Sequence, residues 1–191
     1  KFLFDNYVRR MFENRTAQIV GLRYFNVYGD REQHKGRMAS VAFHFTHQYQ
    51  DNGYVKLFEG IDGYENGGQL RDFVSVEDVI DLNLFLCANP ALSGIFNVGT
   101  GRCQSFNDVA VATINRCRAE AGEEALDLQA LQQQNIIRYI DFPETLKGKY
   151  QSFTEADISA LRNAGYQHEF LSVEQGVSRY VGRLLGKHKV S

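Results

Sequence analysis

The chain has 191 residues, of which 43% are hydrophobic and 13% aromatic, so it can bury the core of one ordinary domain. Its net charge of −2 comes from 21 basic and 23 acidic residues without a block of like charge, which argues against nucleic acid or an anionic membrane as the main partner. No apolar run approaches the roughly 20 residues that span a bilayer, and no signal peptide is recognisable, so a cytoplasmic location is expected.

Helices and strands are predicted to alternate along the first half of the chain. Phe4, Tyr7, Val8 and Met11 recur at helical spacing, so the sequence is predicted to begin inside a helix. An apolar strand follows at 19–25, then a helix at 40–49 that ends in a turn at 51–53. A short strand at 54–58, a Gly-rich loop at 60–68 and an extended segment at 70–76 complete this half.

Three later helix starts are predicted from a Ser or Thr followed three positions later by Asp. The hydroxyl can accept a hydrogen bond from a free backbone N–H, and the carboxylate favours the positive end of a helix. The three pairs are Ser75 with Asp78, Ser105 with Asp108, and Thr154 with Asp157. A buried strand and Gly turn are expected at 94–101, a polar surface segment at 120–135, a strand at 136–140 and a helix at 172–185. This alternation predicts an α/β fold.

Polar groups cluster where the strand at 19–25 ends. Asn26, Tyr28, His34 and Lys35 lie within ten residues of one another. Ligands bind at the carboxyl ends of strands in an open α/β sheet, so this cluster is a candidate site. A lysine beside a nicotinamide or a sugar can serve as an acid or base when its pKa is lowered. Lys35 can equally be a solvated loop lysine.

No metal site is predicted. His44 and His47 lie one helical turn apart, but no third ligand is near them in sequence. Cys87, Cys103 and Cys117 are odd in number and lack the spacing of a metal site, so reduced thiols are expected.

Two basic features are candidates for phosphate binding. Arg71 can hold a phosphate or carboxylate through two parallel hydrogen bonds, or it can form a structural ion pair with Asp72. Lys147 and Lys149 flank a glycine in a turn that suits phosphate contacts, and an ordinary exposed turn explains them equally well. The glycine-rich fingerprint G-x-G-x-x-G follows no strand, which excludes a free-standing dinucleotide domain in this sequence.

Taken in order, the motifs resemble those of a known enzyme family. RYFNVYG at 23–29, RDFV at 71–74 and GIFNVGTG at 94–101 are shared by many nucleotide-sugar epimerases and dehydratases. HKGRMASVAFH at 34–44, LFEG at 57–60, FPETLKGKYQ at 142–151, FTEADI at 153–158 and LRNAGY at 161–166 discriminate further. The sequence thus resembles the extended short-chain dehydrogenase/reductase superfamily and, within it, the ADP-L-glycero-D-manno-heptose 6-epimerases.

The resemblance implies the C-terminal part of a Rossmann-type doubly wound sheet plus a small α/β substrate-binding lobe. Core pieces are expected at 1–29 and 71–118, and the lobe mainly at 30–70 and 119–191. The implied reaction is NADP-dependent epimerisation at C6'' of ADP-D-glycero-D-manno-heptose through a 6''-ketone, by a homo-oligomer that supplies heptose for lipopolysaccharide.

Site residues follow from the same matching. The lysine of the family's Tyr-x-x-x-Lys motif aligns with Lys1, so the tyrosine and the N-terminal Rossmann half are expected upstream of this sequence. Lys1 would hold the nicotinamide ribose and lower the tyrosine pKa. Lys35 would be the second acid/base, and Lys1, Val27 and Lys35 would contact the cofactor. The implied substrate contacts are Asn26, Arg37, His44, Phe58, Glu59, Gly60, Ile61, Arg71 and Tyr150.

Departures from the family pattern keep alternatives open. Asp30 stands where the motif usually has Pro, Arg37 where relatives have a small Ser, and Ile61 where a polar residue is usual. Arg37 leaves room for an epimerase or dehydratase that acts on a UDP- or dTDP-sugar. The missing N-terminal half leaves room for a non-catalytic remnant or assembly module, and the bare chain is expected to be inactive and poorly soluble.

Overall fold

Helices and short strands alternate along the computed structural model, which describes residues 2–188. The helices are α1 (Phe2–Met11), α2 (Val41–Asn52), α3 (Val76–Ala88), α4 (Phe106–Glu120), α5 (Leu128–Gln133), α6 (Ser159–Asn163) and α7 (Val173–His188). The strands are β1 (Val20–Tyr24), β2 (Asn26–Tyr28), β3 (Val55–Phe58), β4 (Leu70–Arg71), β5 (Phe73–Ser75), β6 (Gly94–Val98), β7 (Gln104–Ser105) and β8 (Ile137–Ile140). Short 3-10 helices lie at Gln33–Met38 and Glu144–Leu146.

Parallel pairing dominates the strands. Within the described residues β1 pairs with β6, β2 with β5 and β3 with β8 in parallel, whereas β4 and β7 pair antiparallel. The chain changes neighbour between β1 and β2, because the Phe25 N–H donates to the Val98 carbonyl and the Asn26 N–H donates to the Asp72 carbonyl, both at 3.0 Å. The prediction of an α/β fold is confirmed.

Two apolar clusters form the interior. One joins α2, α4 and α7 to β3 and β8, and its centre includes the fully buried Ile114 and Val177. The other lies between α3, β6 and the segment around α6, with Leu82 and Leu161 at its centre. Complete burial of each such side chain contributes about 1.5–3 kcal/mol. The assignment of residue ranges to a core and a lobe stays a prediction.

Two of the three predicted helix starts are confirmed. The Ser75 hydroxyl accepts the Glu77 N–H at 3.2 Å at the start of α3. At the start of α4 the Ser105 hydroxyl accepts the Asp108 N–H at 3.0 Å, and Asp108 accepts the Ser105 N–H at 2.8 Å, which completes a capping box. These contacts satisfy N–H groups that have no partner inside the helix.

The third predicted helix start, at Thr154, is wrong. The Thr154 N–H donates to the Leu70 carbonyl at 3.1 Å, and the Ala156 N–H donates to the Asp72 carboxylate at 3.0 Å. Residues 153–158 therefore form no helix: Phe153 pairs with Leu70 in an isolated parallel bridge, and α6 begins only at Ser159. Residues more than 80 positions away in sequence take the N–H groups that a helix cap would have served.

The predicted first helix is confirmed as α1, but its apolar side chains are exposed. Leu3, Phe4 and Tyr7 are 81%, 67% and 60% exposed, and Met11 is 45% exposed. Nothing in residues 2–188 covers this face of α1 completely. None of the helices in that range is both long enough and apolar enough to cross a membrane.

Candidate active site

Several of the predicted site residues lie on neighbouring strands at the start of β2. Asn26 lies opposite Phe73 and Val27 opposite Val74 in the parallel register of β2 and β5. Arg71 precedes Phe73 by two positions. The carboxyl end of a parallel pair is a usual place for ligands, and Asn26 lies just past that end of β1 and β6; it is exposed, while Val27 is half-buried.

Arg71 is a buried cation without an anionic partner. It is 6% exposed, and its guanidinium carbon lies 4.8 Å from the ring centre of Tyr150 and 5.9 Å from that of Phe106. Its Nη1 donates to the Leu70 carbonyl at 2.9 Å. Among the described residues no carboxylate forms an ion pair with Arg71, Asp72 included. A buried charge is costly unless it is paired, so this position favours an anionic ligand.

The Asp72 carboxylate has a different role, which sequence analysis missed. It is fully buried and accepts hydrogen bonds from the Thr100 N–H at 2.7 Å, the Thr100 hydroxyl at 2.9 Å, the Gly101 N–H at 2.9 Å and the Ala156 N–H at 3.0 Å. These bonds tie the junction of β4 and β5 to the loop after β6 and to the extended segment after Ser152. The signal in the sequence was an Asp directly before the apolar pair Phe73 and Val74.

Aromatic rings connect Arg71 to the loop after β3. The Phe142 ring packs edge-on against Tyr150, with ring centres 5.2 Å apart, and against Phe58 at 5.5 Å. Burial raises the pKa of the Tyr150 hydroxyl, and the neighbouring Arg71 opposes part of that rise. The hydroxyl therefore stays neutral near pH 7, and the ring keeps its face toward the guanidinium.

A polar cavity of about 300 Å³ adjoins these rings. Its lining is Glu59, Gly60, Ile61, Asp141, Phe142, Glu144 and Lys147. The loop that carries Ile61 is held to the segment around Ser152, because the Ser152 hydroxyl donates to the Asp62 carboxylate at 2.5 Å. Lys147 forms an exposed ion pair with Glu144 at 2.5 Å, so its positive charge is partly neutralised by that carboxylate.

The predicted acid/base residue Lys35 lies in the 3-10 segment Gln33–Met38. Its side chain and that of Arg37 are exposed, and the glycine between them has φ +52°, which suits glycine better than other residues. His44 is half-buried in the first turn of α2. Lys1 lies outside the described residues, so the structure does not place it.

Comparison with known proteins defines the family. The NAD dependent epimerase/dehydratase family matches residues 1–99, more than half of the chain. The chain is 68% identical over 185 residues to an ADP-L-glycero-D-manno-heptose-6-epimerase of Thiobacillus denitrificans, covering 97% of this chain and 56% of that protein.

Solved structures resemble the fold over almost the whole chain. The ADP-L-glycero-D-manno-heptose-6-epimerase of Helicobacter pylori superposes with a TM-score of 0.69 and 28% identity, covering 95% of this chain and 48% of that one. A UDP-glucose 4-epimerase of Thermus thermophilus, solved in complex with NAD, gives a TM-score of 0.67 at 23% identity, covering 96% and 52%. The chain thus spans about half the length of these relatives. It belongs to the NAD dependent epimerase/dehydratase family.

Proposed function

We propose that the full-length protein carrying this chain is an NADP-dependent epimerase. It would convert ADP-D-glycero-D-manno-heptose to ADP-L-glycero-D-manno-heptose at C6'' through a transient 6''-ketone. The 68% identity to a protein of that name supports this substrate, and the family description supports a nicotinamide dinucleotide. The choice of NADP, a cytoplasmic homo-oligomer and a role in lipopolysaccharide heptose supply belong to the same proposal.

The observation that carries the proposal is the unpaired guanidinium of Arg71. Its planar fork matches two oxygens of a diphosphate, and stacking on Tyr150 restricts the side chain before substrate arrives. The loop of Phe58, Glu59, Gly60 and Ile61 would bound the nucleotide, while Asn26, Arg37 and His44 would contact the sugar. A ligand of this charge would remove the cost of burying Arg71 alone.

The cofactor would accept the hydride from C6'' and return it to the opposite face. Support for the nicotinamide side of such a site is that Val27 lies in the parallel pair of β2 and β5, and that Lys35 follows in the next loop. Lys35 would take or give the proton at the 6''-oxygen in one orientation of the intermediate. Lys1, with the family's tyrosine, would serve the other orientation.

The test incubates the full-length protein with NADP and each C6'' epimer and follows interconversion by NMR. Lys35→Met should lower kcat roughly 100-fold or more, as expected for loss of an acid/base. The control is Lys56→Met, because Lys56 is an exposed lysine on β3 that should leave the rate unchanged. The proposal would be contradicted if the epimers were not interconverted and the Lys35→Met protein had the same activity as wild type.

Two observations favour alternatives, and each alternative has its own test. Arg37 differs from the small residue of the relatives, so a panel of UDP-, dTDP- and ADP-sugars tests whether another nucleotide sugar is the substrate. The exposed apolar face of α1 is what a non-catalytic remnant would also show. NADPH titrated into the 191-residue chain tests that idea, and submicromolar binding would contradict it.

A further inference from the structure

A buried carboxylate closes the segment that carries Lys35. Glu32 is 2% exposed; its Oε2 accepts the Ser40 N–H at 2.7 Å, and its Oε1 accepts the Ser40 hydroxyl at 2.6 Å. The Glu32 carbonyl also accepts the Lys35 N–H at 2.9 Å. Because Glu32 and Ser40 stand at the two ends of residues 33–39, these bonds hold the ends of that segment together. We call residues 32–40 the lysine loop.

The third donor to this carboxylate comes from the last helix. The Tyr180 hydroxyl, on α7, donates to Glu32 Oε1 at 2.9 Å across 148 positions of sequence. Tyr180 is 2% exposed, and burial together with the nearby Glu32 charge raises its pKa, so it remains a donor at physiological pH. Just before the loop, Arg183 of α7 forms an ion pair with Asp30 at 2.8 Å. The helix therefore holds the chain at two points beside the lysine loop.

The loop has little else to fix its shape. Residues 33–38 are all exposed, and the side chain of Met38 is 84% exposed. Ala39 is the one buried apolar side chain of the loop, so packing contributes little and the loop depends on its hydrogen bonds for order. The hydrogen bonds to Glu32 are thus the main restraint on the position of Lys35.

We propose that Glu32 and Tyr180 are positioning residues for Lys35: the carboxylate, held by the Tyr180 hydroxyl, fixes the lysine loop against α7. The inference rests on the proposed function, in which Lys35 exchanges a proton with the substrate. Displacing an acid or base by about 1 Å can cost as much as about 100-fold in rate, so loss of this restraint should lower catalysis without touching substrate directly. A purely structural alternative is that Glu32 only supports Ser40 as the cap of α2.

The experiment compares two buried tyrosines in the full-length protein. Tyr180→Phe removes the hydroxyl that donates to Glu32. Tyr166→Phe removes a hydroxyl that is equally buried and has no hydrogen-bond partner among the described residues, so it is the matched control. Glu32→Gln is the second variant, since an amide keeps the size of the side chain but cannot accept all three donors. Amide hydrogen exchange of residues 33–39 and steady-state kcat and KM are measured for each.

Tyr180→Phe and Glu32→Gln should speed exchange in the lysine loop and leave exchange in α4 unchanged, while kcat falls roughly fivefold or more. Tyr166→Phe should change neither. Unchanged loop exchange in Tyr180→Phe would overturn the restraint, and faster exchange with kcat within twofold of wild type would overturn the positioning role. If Lys35→Met is as active as wild type, the proposed function fails by itself, while the exchange data still decide whether Glu32 holds the loop.

Discussion

Replacing Asp72 with Asn tests how much the buried carboxylate stabilises the fold. Asn has the same shape, so it leaves no cavity, but it offers one acceptor oxygen where the wild-type carboxylate serves four donors. The best orientation turns the new NH₂ toward Thr100, because the Thr100 hydroxyl can reverse and accept. The Thr100 N–H then loses its acceptor, while the N–H groups of Gly101 and Ala156 keep a neutral oxygen.

The expected cost follows from those bonds. One buried N–H without a partner costs about 1–3 kcal/mol, and the change from a charged to a neutral acceptor removes about 1 kcal/mol from each of the other two bonds. The total is about 3–5 kcal/mol, a large part of the stability of an ordinary domain.

Urea unfolding of the full-length protein measures this difference in the free energy of unfolding. The control is Asp51→Asn, because Asp51 is an exposed residue near the end of α2. That control should stay within about 0.5 kcal/mol of wild type, as exposed substitutions usually do. A cost below about 1 kcal/mol for Asp72→Asn would show that water or a shifted loop satisfies the Thr100 N–H, and the reasoning from the four bonds would be wrong.

Three further substitutions probe other parts of the structure. Ser105→Ala removes half of the capping box of α4 and should cost about 0.5–2 kcal/mol by urea unfolding. Gly29→Ala places a methyl group 2.3 Å from a methyl carbon of Val76 at φ +149°, so a loss of about 2–4 kcal/mol is expected by the same assay. Burial raises the pKa of Asp78, so its ionised form costs folding energy above that raised pKa and nothing below its ordinary value of 3.8. Asp78→Asn should therefore gain stability relative to wild type as pH rises from below 3.8 through the raised pKa of Asp78.

Each of these outcomes has an opposite that would contradict it. A Ser105→Ala midpoint equal to that of wild type would mean that α4 does not depend on its cap, and a Gly29→Ala protein as stable as wild type would mean that Val76 moves freely. If the Asp78→Asn variant instead loses stability relative to wild type as pH rises, the contact of Asp78 with His168, at 3.5 Å, stabilises the ionised carboxylate by more than burial costs.

The candidate site residues were named from short motifs and from the family resemblance. Asn26, Lys35 and Arg71 stand in local patterns, Tyr150 was implied by the resemblance, and the structure brings Arg71 against Tyr150 at 4.8 Å. The sequence left open whether Arg71 pairs with Asp72, and the structure decides against the pair, because neighbours on an extended chain point to opposite faces. The structure separates them: Arg71 stacks on the aromatic rings and Asp72 turns to backbone donors.

The sequence by itself determined what depends on a few neighbouring residues: the helices with their Ser75 and Ser105 caps, the apolar strands, and the motifs that define the family. Only the tertiary structure decided which distant groups satisfy one another. Thr154 carries a helix-start pattern, yet its N–H is taken by Leu70. Glu32 looks like a loop glutamate, yet it is buried against Tyr180, 148 positions away. A buried polar group takes whatever partner folding brings within about 3 Å, and no local spacing encodes that partner.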